Sequence, residues 1–578
     1  MATVAPQKAE GEQRGRKRTI GALWCAAAEQ AKTEPAYLVE SADGWSGVSW
    51  AEAARRVEEI AFGLLALGVR KGDAFGIVAA TGLEWALTDF ALARIGAVVA
   101  PIYPSSSRAD CEYMLDLVGA LGVFVDEAAR ELAPPLPHVL PFAELENLES
   151  RGRAYRAEHP EALREAEAAI DEEDLFTFIY TSGTTGPPKA CMIRHRNYYA
   201  MAATVDLIEE FTMRGDVMLL YLPLAHNFGR LLHLLGAYEG YTIAFLPDPL
   251  RTAEALPQVK PTVLPSVPRL YEKVYSRVQA QFDATTGLRR RLIEWALRVG
   301  YEASPYKRRD QRLPPSLALR HQIADRLVYS KVKEKLGGRL RLGISGGAPL
   351  AREIAEFFHA LDILILEGYG LSECTTACSV NRPGHIKFGT VGPALPGFEV
   401  RAADDGEILI RSETVFAGYH RDDEATRSAI DSAGWLHSGD VGEIDDEGFL
   451  RITDRKKDIL VTAGGKNVAP QNLENALKSA KLVSQALVIG DRRPYLVALI
   501  SLEEDEAAKR EPHELQAEVR AAVEAVNRDR SRFEQIKKFA IVDREFSAEQ
   551  GEVTPTLKLR RRPIEQNFAR EIEQLYSE

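Results

Sequence analysis

The sequence predicts an α/β protein: a large N-terminal domain of stacked, mostly parallel sheets covered by helices, a β-rich subdomain, and a small C-terminal α+β domain. Three observations lead there. The chain's 578 residues exceed what one compact core holds, so two or more domains are expected. From Thr19 onward, helical periodicity alternates with short apolar runs, the pattern of parallel strands covered by helices. After Gly406 it gives way to short β-segments separated by turns, Asp431-Ser-Ala-Gly434 and Asp445-Asp-Glu-Gly448 among them.

Residues 1–18 are polar and basic, end in Arg14-Gly-Arg-Lys-Arg18 and lack the apolar core of a signal peptide, so they read as a disordered tail. The main domain is expected over 19–455. Within it, Trp50–Leu65 carries apolar residues at helical spacing, whereas Ala74–Ala79 and Ala97–Tyr103 read as buried strands. Glu, Arg and Ala dominate 145–174, which predicts surface helices and a linker. Further strands are expected at Leu175–Ile179, Val217–Leu222, Leu340–Ser345 and Asp362–Leu366. Ligands of open α/β sheets bind beyond the carboxyl ends of strands, so the loops that follow these strands are expected to meet. Residues 456–578, of ordinary domain size, form the final unit. The best candidate for a membrane span, Phe90–Tyr103, is broken by Arg94, Gly96 and Pro101 and is too short to span a bilayer.

The formal net charge of −12 argues against nucleic-acid binding. Five scattered cysteines make no disulfide framework and fit reduced thiols in the cytoplasm. One segment reverses the charge: Thr285–Leu340 holds 14 Lys/Arg and 5 Asp/Glu. It lies in an expected helical insertion at about 281–338. It reads either as a solvated helical face or as a peripheral docking surface for anionic lipid or for the phosphates of a large ligand.

Chemistry concentrates in a few loops. Tyr180-Thr-Ser-Gly-Thr-Thr-Gly-Pro-Pro-Lys189 places Thr181, Ser182, Gly183, Thr184, Thr185, Gly186 and Lys189 just after a strand. Such a loop turns backbone N–H groups and hydroxyls toward a triphosphate, with the lysine supplying charge. It is not a Walker loop, because its glycines are too close together and no Ser/Thr follows Lys189. Ser345-Gly346-Gly347-Ala348 ends another strand. In Glu367-Gly368-Tyr369-Gly370-Leu371-Ser372-Glu373 an aromatic face for stacking, glycines for close approach and a carboxylate suited to Mg2+ stand together. Trp435–Asp440 supplies a carboxylate suited to ribose hydroxyls, and Ile452–Asp458 carries Arg455 and Lys457.

In order and spacing these segments resemble the adenylate-forming superfamily, and most of all its long-chain fatty acyl-CoA synthetases, over about residues 20–565. The resemblance implies ATP, Mg2+ and CoA as reaction components and a fatty acid as the acid activated. It assigns the phosphates to the hydroxyl loop and Lys189, and Mg2+ to Glu373 and Thr184. The adenine falls to Gly346–Ala348 and Tyr369, and the ribose and phosphate to Asp440, Ile452 and Arg455. It places His226, in Tyr221–Asn227, at the border of the acyl pocket. By the same resemblance Lys457 takes the position of the hinge about which a C-terminal lid swings, Lys558 that of the adenylation lysine, and Gly464 and Gly465 that of the loop lining the pantetheine tunnel. Leu557 precedes Lys558 where the general pattern has Gly, and the long-chain branch shows this form; Ala190 and Ser438 stand for Gly and Thr. The insertion after Lys260–Lys273 also favours the long-chain branch.

By residue type alone His226 is a packed or capping histidine, and Gly464-Gly465 suits a hairpin as well as a tunnel. Open alternatives are a ligase for a medium-chain or aryl acid and an acyl-AMP ligase that loads a carrier protein. A non-catalytic nucleotide-binding scaffold would be favoured by loss of Lys558, Glu373 or the hydroxyl loop, and all three are present. The residues specify neither oligomeric state nor acyl chain length.

Overall fold

Short apolar runs become the inner strands of two sheets. The computed structural model describes residues 17–577 apart from 31, 43, 182–186, 209–210, 212, 214, 529, 548 and 555–558. In a six-stranded sheet, His138–Pro141, Gly122–Val125, Ala74–Val78, Val98–Ile102 and Leu175–Thr181 lie parallel in that spatial order, and Lys189–Arg194 closes one edge antiparallel. The eight-stranded sheet has six parallel inner strands: Ile365–Tyr369, Leu342–Ser345, Val263–Ser266, Val217–Leu220, Thr242–Phe245 and Tyr37–Ser41. Its edges, Ser379–Val380 and Gly44–Val48, are antiparallel. Helices cover both faces of such sheets, which is why their strands read as unbroken apolar runs.

Two interlocks set the layers. Helices Trp50–Ala66 and Leu145–Glu158 cross at glycines: a Cβ on Gly152 would lie 1.9 Å from the Glu59 carbonyl oxygen, and one on Gly63 2.4 Å from that of Leu148. The segment expected to hold surface helices and a linker is therefore docked helix along most of its length, Leu145–Glu158 and Ala162–Ala169. Between the sheets, the fully buried Arg230 donates to the Asp89 carboxylate (3.2 Å from Nε) and to Thr177 Oγ1 at 2.5 Å. Thr177 donates in turn to the Val99 carbonyl at 2.7 Å. Helices Leu83–Ile95 and Asn227–Glu239 are thereby tied to the strand that delivers the hydroxyl loop. Breaking such a pair from one side leaves a buried charge and is strongly destabilising.

The β-rich subdomain is an antiparallel meander of Glu399–Ala402, Glu407–Arg411, Leu436–Ile444 and Leu450–Arg455. The last unit has its own three-stranded sheet, Val483–Ile489, Leu496–Leu502 and Ile536–Ile541, with a separate apolar core on each face. Arg269, in helix Pro268–Asp283 of the large domain, reaches this sheet: it donates to Ser484 O at 3.1 Å and pairs with Glu503 at 2.9 Å and Glu545 at 3.0 Å.

Two expectations need correction. The strand expected at Asp362–Leu366 begins at Ile365 and runs to Tyr369. Asp362 sits instead in a turn at φ 62°, its carboxylate held by Lys307 and Lys333, so Glu367, Gly368 and Tyr369 belong to the strand itself. Lys17 and Arg18 are not tail: Lys17 donates to Ala168 O at 2.6 Å and Ile170 O at 2.8 Å, and Arg18 pairs with Glu413. The rest of the expected tail lies outside the described residues.

Candidate active site

Tyr369 closes its strand, and the chain turns sharply at Gly370, where a Cβ would stand 2.0 Å from the Thr376 carbonyl oxygen. The turn continues through Thr375 at φ 56° and Thr376 at φ 98°, left-handed conformations that cost energy for non-glycine residues. Side-chain bonds hold them: Thr375 Oγ1 donates to Thr414 O at 2.6 Å, and Thr376 Oγ1 to Asn227 O at 3.2 Å. The short 3-10 turn Ser372–Cys374 is thus fixed with Glu373 on it.

Tyr369 meets the meander. Its hydroxyl donates to Asp440 Oδ2 at 2.6 Å, and Arg455 Nε lies 3.3 Å from Asp440 Oδ1. Asp440 and Arg455 are paired neighbours on adjacent strands, and Ile452 pairs with Gly442 on the same two strands. Burial, and then the charge of Asp440, push the Tyr369 phenol well above its ordinary pKa, so it stays a donor. The Lys457 ammonium is held below its ordinary value by loss of hydration and by Arg455, against the pull of Asp458, Asp440 and Glu373.

Gly346 follows strand Leu342–Ser345, hydrogen-bonded to Ser266 O at 3.1 Å, with the Phe228 ring 3.4 Å from where its Cβ would be. Gly347 and Ala348 are exposed beside it. His226 caps the helix Asn227–Glu239, its Nδ1 accepting from Phe228 N at 3.2 Å, and Asn227 Nδ2 donates to Ser372 O at 3.3 Å. The carbonyl of Ser372 and the start of that helix are therefore one unit.

Lys189 lies opposite Thr181 across the hairpin, so these two bracket the hydroxyl loop. Ser182, Gly183, Thr184, Thr185 and Gly186 lie outside the described residues, as does Lys558. Gly464 and Gly465 occupy an exposed turn of the hairpin Leu460–Val461/Asn467–Val468, where Gly465 N donates to Thr462 O at 2.8 Å. No described contact joins them to Tyr369, Asp440 or Glu373.

Sequence reading missed the segment Phe416–Asp422. It lies along strand Lys189–Arg194 and gives the site two side chains: Tyr419 Oη donates to Glu373 Oε1 at 2.7 Å, and Asp422 pairs with Lys189 Nζ at 2.9 Å. The motif Gly-Tyr-His-Arg-Asp has no period or spacing that marks it, so only the tertiary contact reveals it.

Comparison with known proteins finds matches over nearly the whole chain. The AMP-binding enzyme family matches residues 25–420, and the AMP-binding enzyme C-terminal domain matches residues 457–578. Among curated relatives, the long-chain-fatty-acid–CoA ligase FadD15 of Mycobacterium bovis is 37% identical, with 95% of this chain and 96% of that protein covered. The peroxisomal long chain acyl-CoA synthetase 7 of Arabidopsis thaliana is 30% identical, with 92% and 82% covered. Among solved structures, the adenylation domain of a carboxylate reductase from Mycobacterium chelonae superposes with a TM-score of 0.77 at 23% identity, covering 97% of this chain and 91% of that one. That last likeness speaks to the fold alone.

Proposed function

The chain belongs to the AMP-binding enzyme family, and from that premise we propose that it activates long-chain fatty acids. The carboxylate oxygen bonds to the α-phosphorus of ATP and pyrophosphate leaves, giving an acyl-AMP anhydride. The CoA sulfur then attacks the acyl carbon and AMP departs. The observation that carries the reading is the Tyr369–Asp440 bond, flanked by Arg455: a stacking ring and a ribose-type carboxylate, from different sheets, meet beside Glu373. The two long-chain ligases at 37% and 30% identity, matched over most of their length, support the substrate class.

The residues divide the work. Tyr369 presents its ring to adenine, and Asp440 accepts from vicinal hydroxyls. Arg455 and Lys189 set positive charge beside the phosphates. No described cluster of three or more His, Cys, Asp or Glu could cage a metal, and Mg2+ needs none: one or two carboxylates plus phosphate oxygens suffice, so the Glu373 carboxylate fits it, with the Thr184 hydroxyl the second ligand that the resemblance implies. Bound there it would neutralise charge on the triphosphate. Lys558 serves the first half-reaction, and Gly464-Gly465 replaces it at the site in the second, by a hinge motion at Lys457 of the lid, residues 456–578, against the domain of 19–455. His226 borders the acyl pocket from its capping position. The basic helices Gly287–Lys307 and Pro315–Ala324 make peripheral contact with anionic lipid on the cytoplasmic side.

Pyrophosphate release, measured with acids of graded length with and without CoA, tests the proposal. Release should depend on a long-chain acid, and acyl-CoA should form only when CoA is added. Preference for an aryl or medium-chain acid would overturn the substrate class; no release with any acid would overturn the activity.

A further inference from the structure

The segment Phe416–Asp422 is stitched to both halves of the phosphate and metal machinery. On one side Met192 N donates to Gly418 O and Ala417 N to Met192 O, both at 2.9 Å, and His420 N donates to Ala190 O at 2.8 Å. On the other, Phe416 N donates to Glu373 O at 2.9 Å. Gly418, at φ 124°, lets the chain pass Thr426, whose side chain would stand 2.6 Å from a Cβ there. Thr426 Oγ1 accepts from Tyr419 N at 2.9 Å and donates to Asp422 O at 2.9 Å, so the segment is held from behind.

Lys189 rests on this segment. Its Nζ is 2.9 Å from Asp422 Oδ2 and 5.3 Å from the centre of the Tyr419 ring, at an open cleft of about 520 Å³ that Lys189, Tyr419, Asp422, Glu424 and Ser428 help to line. The Lys189 and Asp422 side chains are 43% and 36% exposed, which makes this the weak, exchangeable kind of ion pair. A polyphosphate carries several negative charges and competes well for the same ammonium; the single phosphate of AMP competes less.

We propose that Asp422 is a place-holding anion: it occupies Lys189 while the site is empty, yields it to the polyphosphate of ATP, and takes it back as pyrophosphate leaves. The inference rests on Lys189 serving the phosphates, as assigned above. It adds to that reading a residue that lowers affinity for polyphosphate and so aids product release.

Asp422→Asn isolates the charge, because asparagine keeps the helix-capping bond that Asp422 Oδ1 accepts from Ala425 N at 2.9 Å. Calorimetric titration of the full-length protein with pyrophosphate, ATP and AMP gives the readout. The variant should bind pyrophosphate and ATP about fivefold more tightly, the scale of one half-exposed ion pair, with AMP unchanged. The gain should vanish when Lys189→Ala is added, as the double-mutant cycle requires. Weaker or unchanged polyphosphate binding, or an equal shift for AMP, would overturn the proposal. Wild-type pyrophosphate release would still stand in that case, so failure here is separable from failure of the proposed activity.

Discussion

Glu367 is buried, and the one described partner of its carboxylate is Leu350 N, which donates to it at 3.2 Å. Burial lifts its pKa from the usual carboxylate range to about 8, opposed only by that bond. The sign follows from proton uptake. Between its unfolded value and about 8 the folded state holds a proton that the unfolded state has lost, so stability falls as pH rises and levels off above about 8. Its contribution is complete only below the unfolded pKa. Glu367→Gln, which keeps the shape without the charge, should therefore lose less stability than wild type from pH 5 to 8, by up to about 1.4 kcal/mol per pH unit. Paired urea melts across that range measure the difference. Parallel pH profiles would mean that the carboxyl ionises without cost. At this scale Tyr369, Glu373 and Asp440 stand out because each sits in a motif of chemically distinctive residue types, and the fold brings Tyr369 and Asp440 into contact. Tyr419 and Asp422 were not, because an acid and a tyrosine in a loop acquire a role only from the strand they lie against.

The elements were legible where periodicity was strong. Ala74–Val78 and Val98–Ile102 are buried at every position and read as strands from composition alone. The start of Ile365–Tyr369 was misplaced because Ile363 and Leu364 continue the apolar run, while two lysines hold Asp362 in a turn that no local pattern announces. The basic helices were legible as helices, but their faces required the fold. Leu317 and Ala324 point inward, whereas Leu319 and Ile323 stand 61% and 43% exposed, and Leu288 is 83% exposed beside Arg289 and Arg291. Arg289, Arg291, Arg326 and Lys331 make no ion pair among the described residues, so the positive charge of this face is not neutralised internally. Each basic side chain near an anionic membrane is worth about 1 kcal/mol. The protein should co-sediment with vesicles of phosphatidylglycerol and phosphatidylcholine at low salt and be released at high salt. Charge reversal by Arg289→Glu and Arg291→Glu together should weaken this at least about tenfold. Equal binding to pure phosphatidylcholine would remove the electrostatic account.

The whole molecule adds one relation that neither residue nor element predicts, the placing of the last domain. Its two cores are separate from that of the large domain, and it meets helix Pro268–Asp283 through polar contacts: Arg269 with Glu503 and Glu545, Lys478 with Glu272 at 3.3 Å, and Lys481 with Asp283. Polar contacts of this kind leave relative domain motion as the default. In the arrangement seen, the Gly464-Gly465 turn is exposed, so the role proposed for it calls for a second arrangement that brings it to the nucleotide. The resemblance assigns both proposed roles, to Lys558 and to the glycine turn, but nothing in their spacing tells which faces the site at a given time. A swap between them has an unequal kinetic consequence. In the proposed mechanism Lys558→Ala removes a charge that acts only while carboxylate and α-phosphorus react, so acyl-AMP formation should fall by about 10²–10³. Transfer to CoA from supplied acyl-AMP should be unchanged, because the proposed swap has removed Lys558 by then. Single-turnover measurement of each half-reaction separates the two, and equal losses in both would mean that one fixed arrangement performs the whole reaction.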